Sequence, residues 1–184
     1  MEGLKIKENL QEGKLHIVQI STGKELTHFP IRDLSVLFKW LKSYAGTPNY
    51  ISVPMKEQYC EMIYILKPQS LIVIEPDTVY DTLSMLFGRD AYEYMLETAA
   101  TFFSEESLKL SWDMPSFLKL FYSVKTRKEA LDIYNNWQEV IPLNESSFCK
   151  VLELMEYYID EILNYFSLQE ALYSKRAVPL ANEN

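Results

Sequence analysis

Apolar and polar positions change period several times along this chain, and those changes mark out its elements. Residues alternate over Leu4 to Glu8 and again over Leu15 to Ser21, the period-two pattern of half-buried strands. Thr22-Gly23-Lys24 then reads as a hairpin turn into a third strand, Glu25 to Phe29. After Pro30 the period lengthens: Leu34, Leu37, Phe38 and Leu41 recur at helical spacing, with Asp33 placed to cap the helix and Gly46-Thr47-Pro48 to end it. A short strand, Tyr50 to Val53, precedes a helix through Tyr59, Ile63 and Leu66 that stops near Pro68. Leu71 to Ile74 is a continuous apolar run, which suits a central strand covered on both faces.

These pieces spell βββαβαβ, an antiparallel meander followed by two parallel crossover units. That is the order of the RNase H-like α/β fold, a mixed sheet with short connections. From about Asp77 the chain reads as helix only. Thr126 to Glu129 has the form of a capping box, backed by Ala130, Ile133, Tyr134 and Trp137. Phe148, Val151, Leu152, Met155, Ile159, Ile162, Leu163 and Phe166 keep one apolar face for a single long last helix. The expected organisation is an α/β core over residues 1–88, a helical C-terminal half over 89–176 packed on it, and a frayed tail over 177–184. No glycine-rich linker separates the two parts, so a shared core is expected.

Composition narrows the chemistry. Of 184 residues, 48% are hydrophobic and 24% charged, ordinary for a globular protein. No run approaches the length of a membrane span and the N-terminus lacks the apolar core of a signal peptide, so a cytoplasmic setting with no membrane partner is expected. Cys60 and Cys149 stand far apart and outside any metal-ligand spacing, which makes them buried thiols. The formal charge of −8 weighs against nucleic acid as a partner, although Lys5, Lys7 and Lys14 form one basic cluster and Lys125, Arg127 and Lys128 another. His16 and His28 lie on neighbouring strands without a nucleophile nearby. Phosphate-binding loops, dinucleotide fingerprints, zinc-protease motifs and nucleophile elbows are absent from the sequence. Tyr92, Tyr94, Tyr157, Tyr158 and Tyr165 lack interleaved basic residues and fit packing or a protein interface better than base stacking.

Several stretches resemble the ISL-type insertion-sequence transposases, whose core carries a DDE triad. LHIVQISTGKELTHFPIRD, Leu15 to Asp33, is similar to a family hairpin ending in an Arg-Asp pair. ISVPMKEQY, Ile51 to Tyr59, keeps the family's Met and Tyr at Met55 and Tyr59, with Pro54 where its second aspartate stands. LIVIEPDTV, Leu71 to Val79, resembles an apolar strand followed by Asp-x-Phe-His-Val, with Glu75, Asp77 and Thr78 in the places of the aspartate, phenylalanine and histidine. Ile162 to Phe166 is similar to the phrase that closes the family's helical section, and Glu170 to Lys175 fits the frame of its glutamate helix. The family's zinc-binding and helix-turn-helix segments have no counterpart before Met1.

The resemblance implies a metal-dependent DNA strand-transfer site, in which carboxylates hold two divalent ions close together. Its first aspartate falls near Lys7 and Glu8, and its glutamate at Glu170. Glu8, Glu75 and Glu170 are therefore the candidate catalytic carboxylates, and Glu75, Asp77 and Glu170 the candidate metal ligands. Lys5, Lys7, Lys14, Lys175 and Arg176 are the candidate DNA contacts. With Lys7 and Pro54 at aspartate positions, the expected function is a transposase-derived domain that is catalytically inactive and binds DNA weakly, with no cofactor. A repurposed protein-interaction module, bound to a protein partner or a second copy, is the alternative. An active Mg²⁺- or Mn²⁺-dependent nuclease is a second one. The solvated reading of Glu8, Glu75 and Asp77 makes them strand-end or helix-capping residues.

Overall fold

The computed structural model describes residues 2–87, 114–140 and 146–176, with side chains described there except at 86–87, 114–116, 140, 146–151 and 174–176. Cys149, Tyr92, Tyr94, the tail over 177–184 and the side chains of Lys175 and Arg176 lie outside what is described. The chain divides into two compact units, Met1–Thr78 and Val79–Asn184.

The first unit is α/β. Strands β1 (Gly3–Asn9), β2 (Lys14–Gln19), β3 (Lys24–Pro30), β4 (Tyr50–Ser52) and β5 (Leu71–Val73) form one mixed sheet in the order β3-β2-β1-β4-β5. β1 pairs antiparallel with β2 and parallel with β4, which pairs parallel with β5. Gly13 and Gly23 take up the positive φ that the two hairpin turns require, and the Gly23 N–H donates to Gln19 O at 2.9 Å. Both crossover connections contain a helix, α1 (Leu34–Ser43) and α2 (Glu57–Leu66). Asp33 caps α1 as expected, accepting from the Ser35 N–H at 3.2 Å. That helix ends at Ser43, before the Gly46-Thr47-Pro48 stop, because its last turn closes on Tyr44 through the Tyr44 N–H to Trp40 O bond of 2.8 Å.

Alternation sorts the strand residues. Leu4, Ile6, Leu15, Ile17, Ile51 and Ile72 share one face by the pairing register, and all six are buried. Phe29 lies on the same face, opposite Leu15, and packs near Trp40 of α1. Leu37, Leu41, Tyr59 and Ile63 of the two helices are buried as well. On the other face, Gly3 sits opposite Tyr50 in the register. A Cβ added at Gly3 would come within 2.3 Å of the Tyr50 ring, so only glycine lets that ring lie over the backbone.

α3 (Pro76–Phe87) follows β5, with Pro76 in its first turn, where a missing N–H costs nothing. In the second unit the described helices are α4 (Met114–Ser123), α5 (Arg127–Val140), α6 (Ser146–Tyr157) and α7 (Ile159–Arg176). The capping box forms: Glu129 N–H donates to Thr126 Oγ1 at 3.2 Å, and the Glu129 carboxylate accepts from Thr126 N–H at 3.1 Å. The Thr126 hydroxyl, which also donates to this carboxylate, and after it the N–H groups of Lys125 and Thr126, hold the Glu129 carboxyl below its ordinary range. Phe117 stacks on Trp137 with ring centroids 3.9 Å apart, and Phe121 meets Phe166 edge-on at 5.3 Å. The expected single last helix is two, interrupted at Tyr158. Hydrogen bonds from Tyr158 N–H to Leu154 O and from Ile162 N–H to Tyr158 O bracket the break, so the buried face from Met155 to Phe166 continues across it.

Candidate functional site

The carboxyl ends of parallel strands are where α/β sheets usually build sites, and three of the candidate acidic residues fall there. Glu8 is near the end of β1, on the same face as Leu4 and Ile6. Its carboxylate accepts hydrogen bonds from Lys56 Nζ at 2.6 and 2.8 Å and from the Tyr59 hydroxyl at 2.7 Å. Only 12% of the Glu8 side chain is exposed. Lys56 stands at the N-cap of α2 and Tyr59 three residues on, so one turn of helix presents an ammonium and a phenol to one carboxylate. Burial, followed by the bond to Glu8 and its negative charge, pushes the Tyr59 hydroxyl far above the ordinary phenol range. Tyr59 therefore remains a donor at any physiological pH.

Glu75 follows β5 and pairs with Lys5 of β1. Lys5 and Glu8 are three residues apart in the same strand, so the pleat sends them to opposite faces of the sheet. Glu75 goes with Lys5, and its charge, after burial, raises the Tyr50 hydroxyl above its ordinary range. Glu8 and Glu75 thus occupy one sheet edge without sharing a site. Asp77 is exposed in the first turn of α3, where a negative charge suits the helix dipole. Pro54 is buried between β4 and α2, and its carbonyl accepts from the Lys56 N–H at 2.8 Å.

Glu170 belongs to the second unit, on α7. Its Oε1 accepts the backbone N–H of Arg127 at 2.7 Å, satisfying an orphan donor at the start of α5. The Arg127 guanidinium in turn reaches Asn164 Oδ1 at 2.8 Å and Asp160 Oδ1 at 2.7 Å. This cluster ties the N-terminus of α5 to α7. Among the described residues no three His, Cys, Asp or Glu side chains are gathered so as to hold a metal ion.

The basic candidates differ in availability. Lys5 is engaged by Glu75, and Lys14 Nζ lies 3.3 Å from Glu12 Oε2. Lys7 is exposed on the same sheet face as Lys5, opposite His16 in the β1–β2 register. Pattern reasoning missed Lys56 and Tyr59 as partners of Glu8; the Lys-x-x-Tyr spacing at a helix start was the available signal. It also missed Glu25, which bridges His16 and His28 with oxygen-to-Nδ1 distances of 2.9 Å each.

The fold around these residues is an α/β unit with a five-stranded mixed sheet, and no helix among the described residues is long and apolar enough to cross a membrane. Comparison with protein-family models, curated proteins and solved structures finds no match to this chain.

Two substitutions test these assignments. Tyr59→Phe removes a hydrogen bond to a half-buried carboxylate and is expected to lower the unfolding free energy in urea by about 2 kcal/mol. An unchanged midpoint would show that the hydroxyl does not support Glu8. Glu170→Ala leaves the Thr126–Glu129 capping box in place but removes the acceptor of the Arg127 N–H, and is expected to cost about 1 kcal/mol. Unaltered stability would remove the capping role.

Proposed function

We propose that this chain carries an RNase H-like domain of transposase descent, whose remaining carboxylates serve the fold in place of divalent metal, and that it binds DNA weakly and without cleaving it. The observation that carries this reading is the pairing of Glu8 with Lys56 and of Glu75 with Lys5 on opposite sheet faces. A two-metal reaction needs carboxylates that bridge neighbouring ions, and it needs their negative charge uncompensated. Here each carboxylate already has an ammonium group against it, and a divalent ion would have to displace that cation.

The scaffold part of the proposal is supported by the strand order β3-β2-β1-β4-β5 with its antiparallel meander and two parallel additions, the arrangement expected of an RNase H-like sheet. The descent rests on the sequence resemblance, in which Met55 and Tyr59 keep the family frame while Lys7 and Pro54 replace aspartates. Weak DNA binding follows from the charges: a total of −8 opposes phosphate contact, and exposed Lys7, Lys125 and Lys128 supply local positive charge.

The test is retention on immobilised duplex DNA across a salt series, together with incubation of supercoiled plasmid with Mg²⁺ or Mn²⁺. Retention at low salt that vanishes near physiological salt, weakened by Lys7→Glu, with intact plasmid throughout, is the expected result. Metal-dependent nicking abolished by Glu8→Gln or Glu75→Gln would overturn the non-catalytic reading. Absence of retention even at low salt would overturn DNA binding and favour a protein partner.

A further inference from the structure

We infer that the β2–β3 hairpin is a proton-responsive clasp, in which protonation of His16 and His28 tightens the edge of the sheet around the Glu25 carboxylate. The clasp exists because the pairing of β2 with β3 shifts register. Ile17 faces Thr27 and Val18 faces Glu25, which leaves Leu26 as the extra residue of a bulge. Glu25 and His28 are three residues apart and would point to opposite faces of a regular strand. The bulge changes that parity and brings Glu25 to the face where His16 and His28 stand directly opposite each other.

One carboxylate then serves two imidazoles. His16 Nδ1 lies 2.9 Å from Glu25 Oε2 and His28 Nδ1 2.9 Å from Glu25 Oε1, with the rings 5.8 Å apart. Because an ionised carboxylate only accepts, both Nδ1 atoms carry hydrogen, and each Nε2 of a neutral ring is a bare lone pair. The His28 side chain is 54% exposed. The Nε2 of His16 is buried and has no hydrogen-bond partner among the described residues. Glu12 of the β1–β2 turn places its Oε2 4.0 Å from this nitrogen. A proton added at this nitrogen turns an unsatisfied acceptor into a cation between two carboxylates, linking the turn to β3.

The surrounding charges within the first unit are few. Glu12 and Glu25 are the acids that face the two rings. Lys14, two residues along β2 and 3.3 Å from Glu12, and exposed Lys7 at the paired position on β1 are cations on the same face. The bonds from His16 first, and His28 next, hold the Glu25 carboxyl below its ordinary value. The contribution of Glu25 is accordingly complete above the ordinary carboxylate range and is lost only as the pH falls through its lowered value. Glu25 therefore keeps its negative charge to well below neutral pH, and the clasp is tighter with the two rings charged than with them neutral.

Amide hydrogen exchange on the full chain, corrected for intrinsic rates and compared at about pH 5.5 and about pH 7.5, tests this directly. Amides paired between β2 and β3 are expected to be about fivefold better protected at the lower pH, relative to those between β1 and β4, the scale of a favourable ion pair near a surface. The gain should disappear in Glu25→Gln and in His16→Gln. In the unsubstituted protein, the loss of protection should follow the titration of the His16 ring observed by NMR, a readout independent of how the variants fold. Equal protection at the two values, stronger protection at the higher one, or a pH response that survives Glu25→Gln would overturn the clasp.

Discussion

Side-chain alternation along β1 is the constraint on which the rest of the first unit depends. β1 is the middle strand, hydrogen-bonded to antiparallel β2 on one side and parallel β4 on the other. Every residue in it is committed to one face or the other. Leu4 and Ile6 go to the face where the apolar side chains of β2, β4 and β5 gather, and Glu8 is carried there with them. Gly3, Lys5 and Lys7 go to the opposite face, where Gly3 accommodates the Tyr50 ring and Lys5 meets Glu75. A one-residue slip would exchange these sets and bury lysines in the core.

Glu8 is the consequence that matters for chemistry. A carboxylate delivered to the apolar side of a sheet must be compensated, because an unpaired charge there costs several kcal/mol. Lys56 and Tyr59 provide that compensation from the first turn of α2. Glu75 is compensated independently by Lys5. The same pairing that makes these carboxylates tolerable in a folded protein makes them poor ligands for a divalent cation, and Glu170 is occupied with capping α5 in the second unit. Glu8, Glu75 and Glu170 thus each have a partner within the protein, and the proposed non-catalytic reading starts from those partners.

The elements of the α/β unit were legible in the sequence because periodicity and turn chemistry are local. Leu4 to Glu8, the Gly23 turn, the Asp33 cap and the apolar run at Leu71 each announce themselves within a few residues. The capping box at Thr126 was legible for the same reason. What local pattern could not reveal depends on register and on contacts distant in sequence. Lys56 and Tyr59 reach Glu8 across about fifty positions, and Glu170 reaches Arg127 across 43. Glu25 joins the histidines only because Leu26 bulges, which an alternating pattern does not record. The break at Tyr158 escaped because the apolar face keeps its phase through it.

Lysine ammonium groups stand against Glu8 and Glu75, and on the proposed reading no divalent ion displaces them. Paramagnetic broadening in ¹H–¹⁵N spectra during a manganese titration of the unsubstituted protein measures this most directly. The amides of Lys5 to Asn9, Val73 to Glu75, Asp77 and Thr78 are predicted to keep the same relative intensity in excess manganese as those around Gly23, in the turn between β2 and β3. Selective loss of the Glu8 and Glu75 signals at low manganese would show that a divalent ion displaces the lysines.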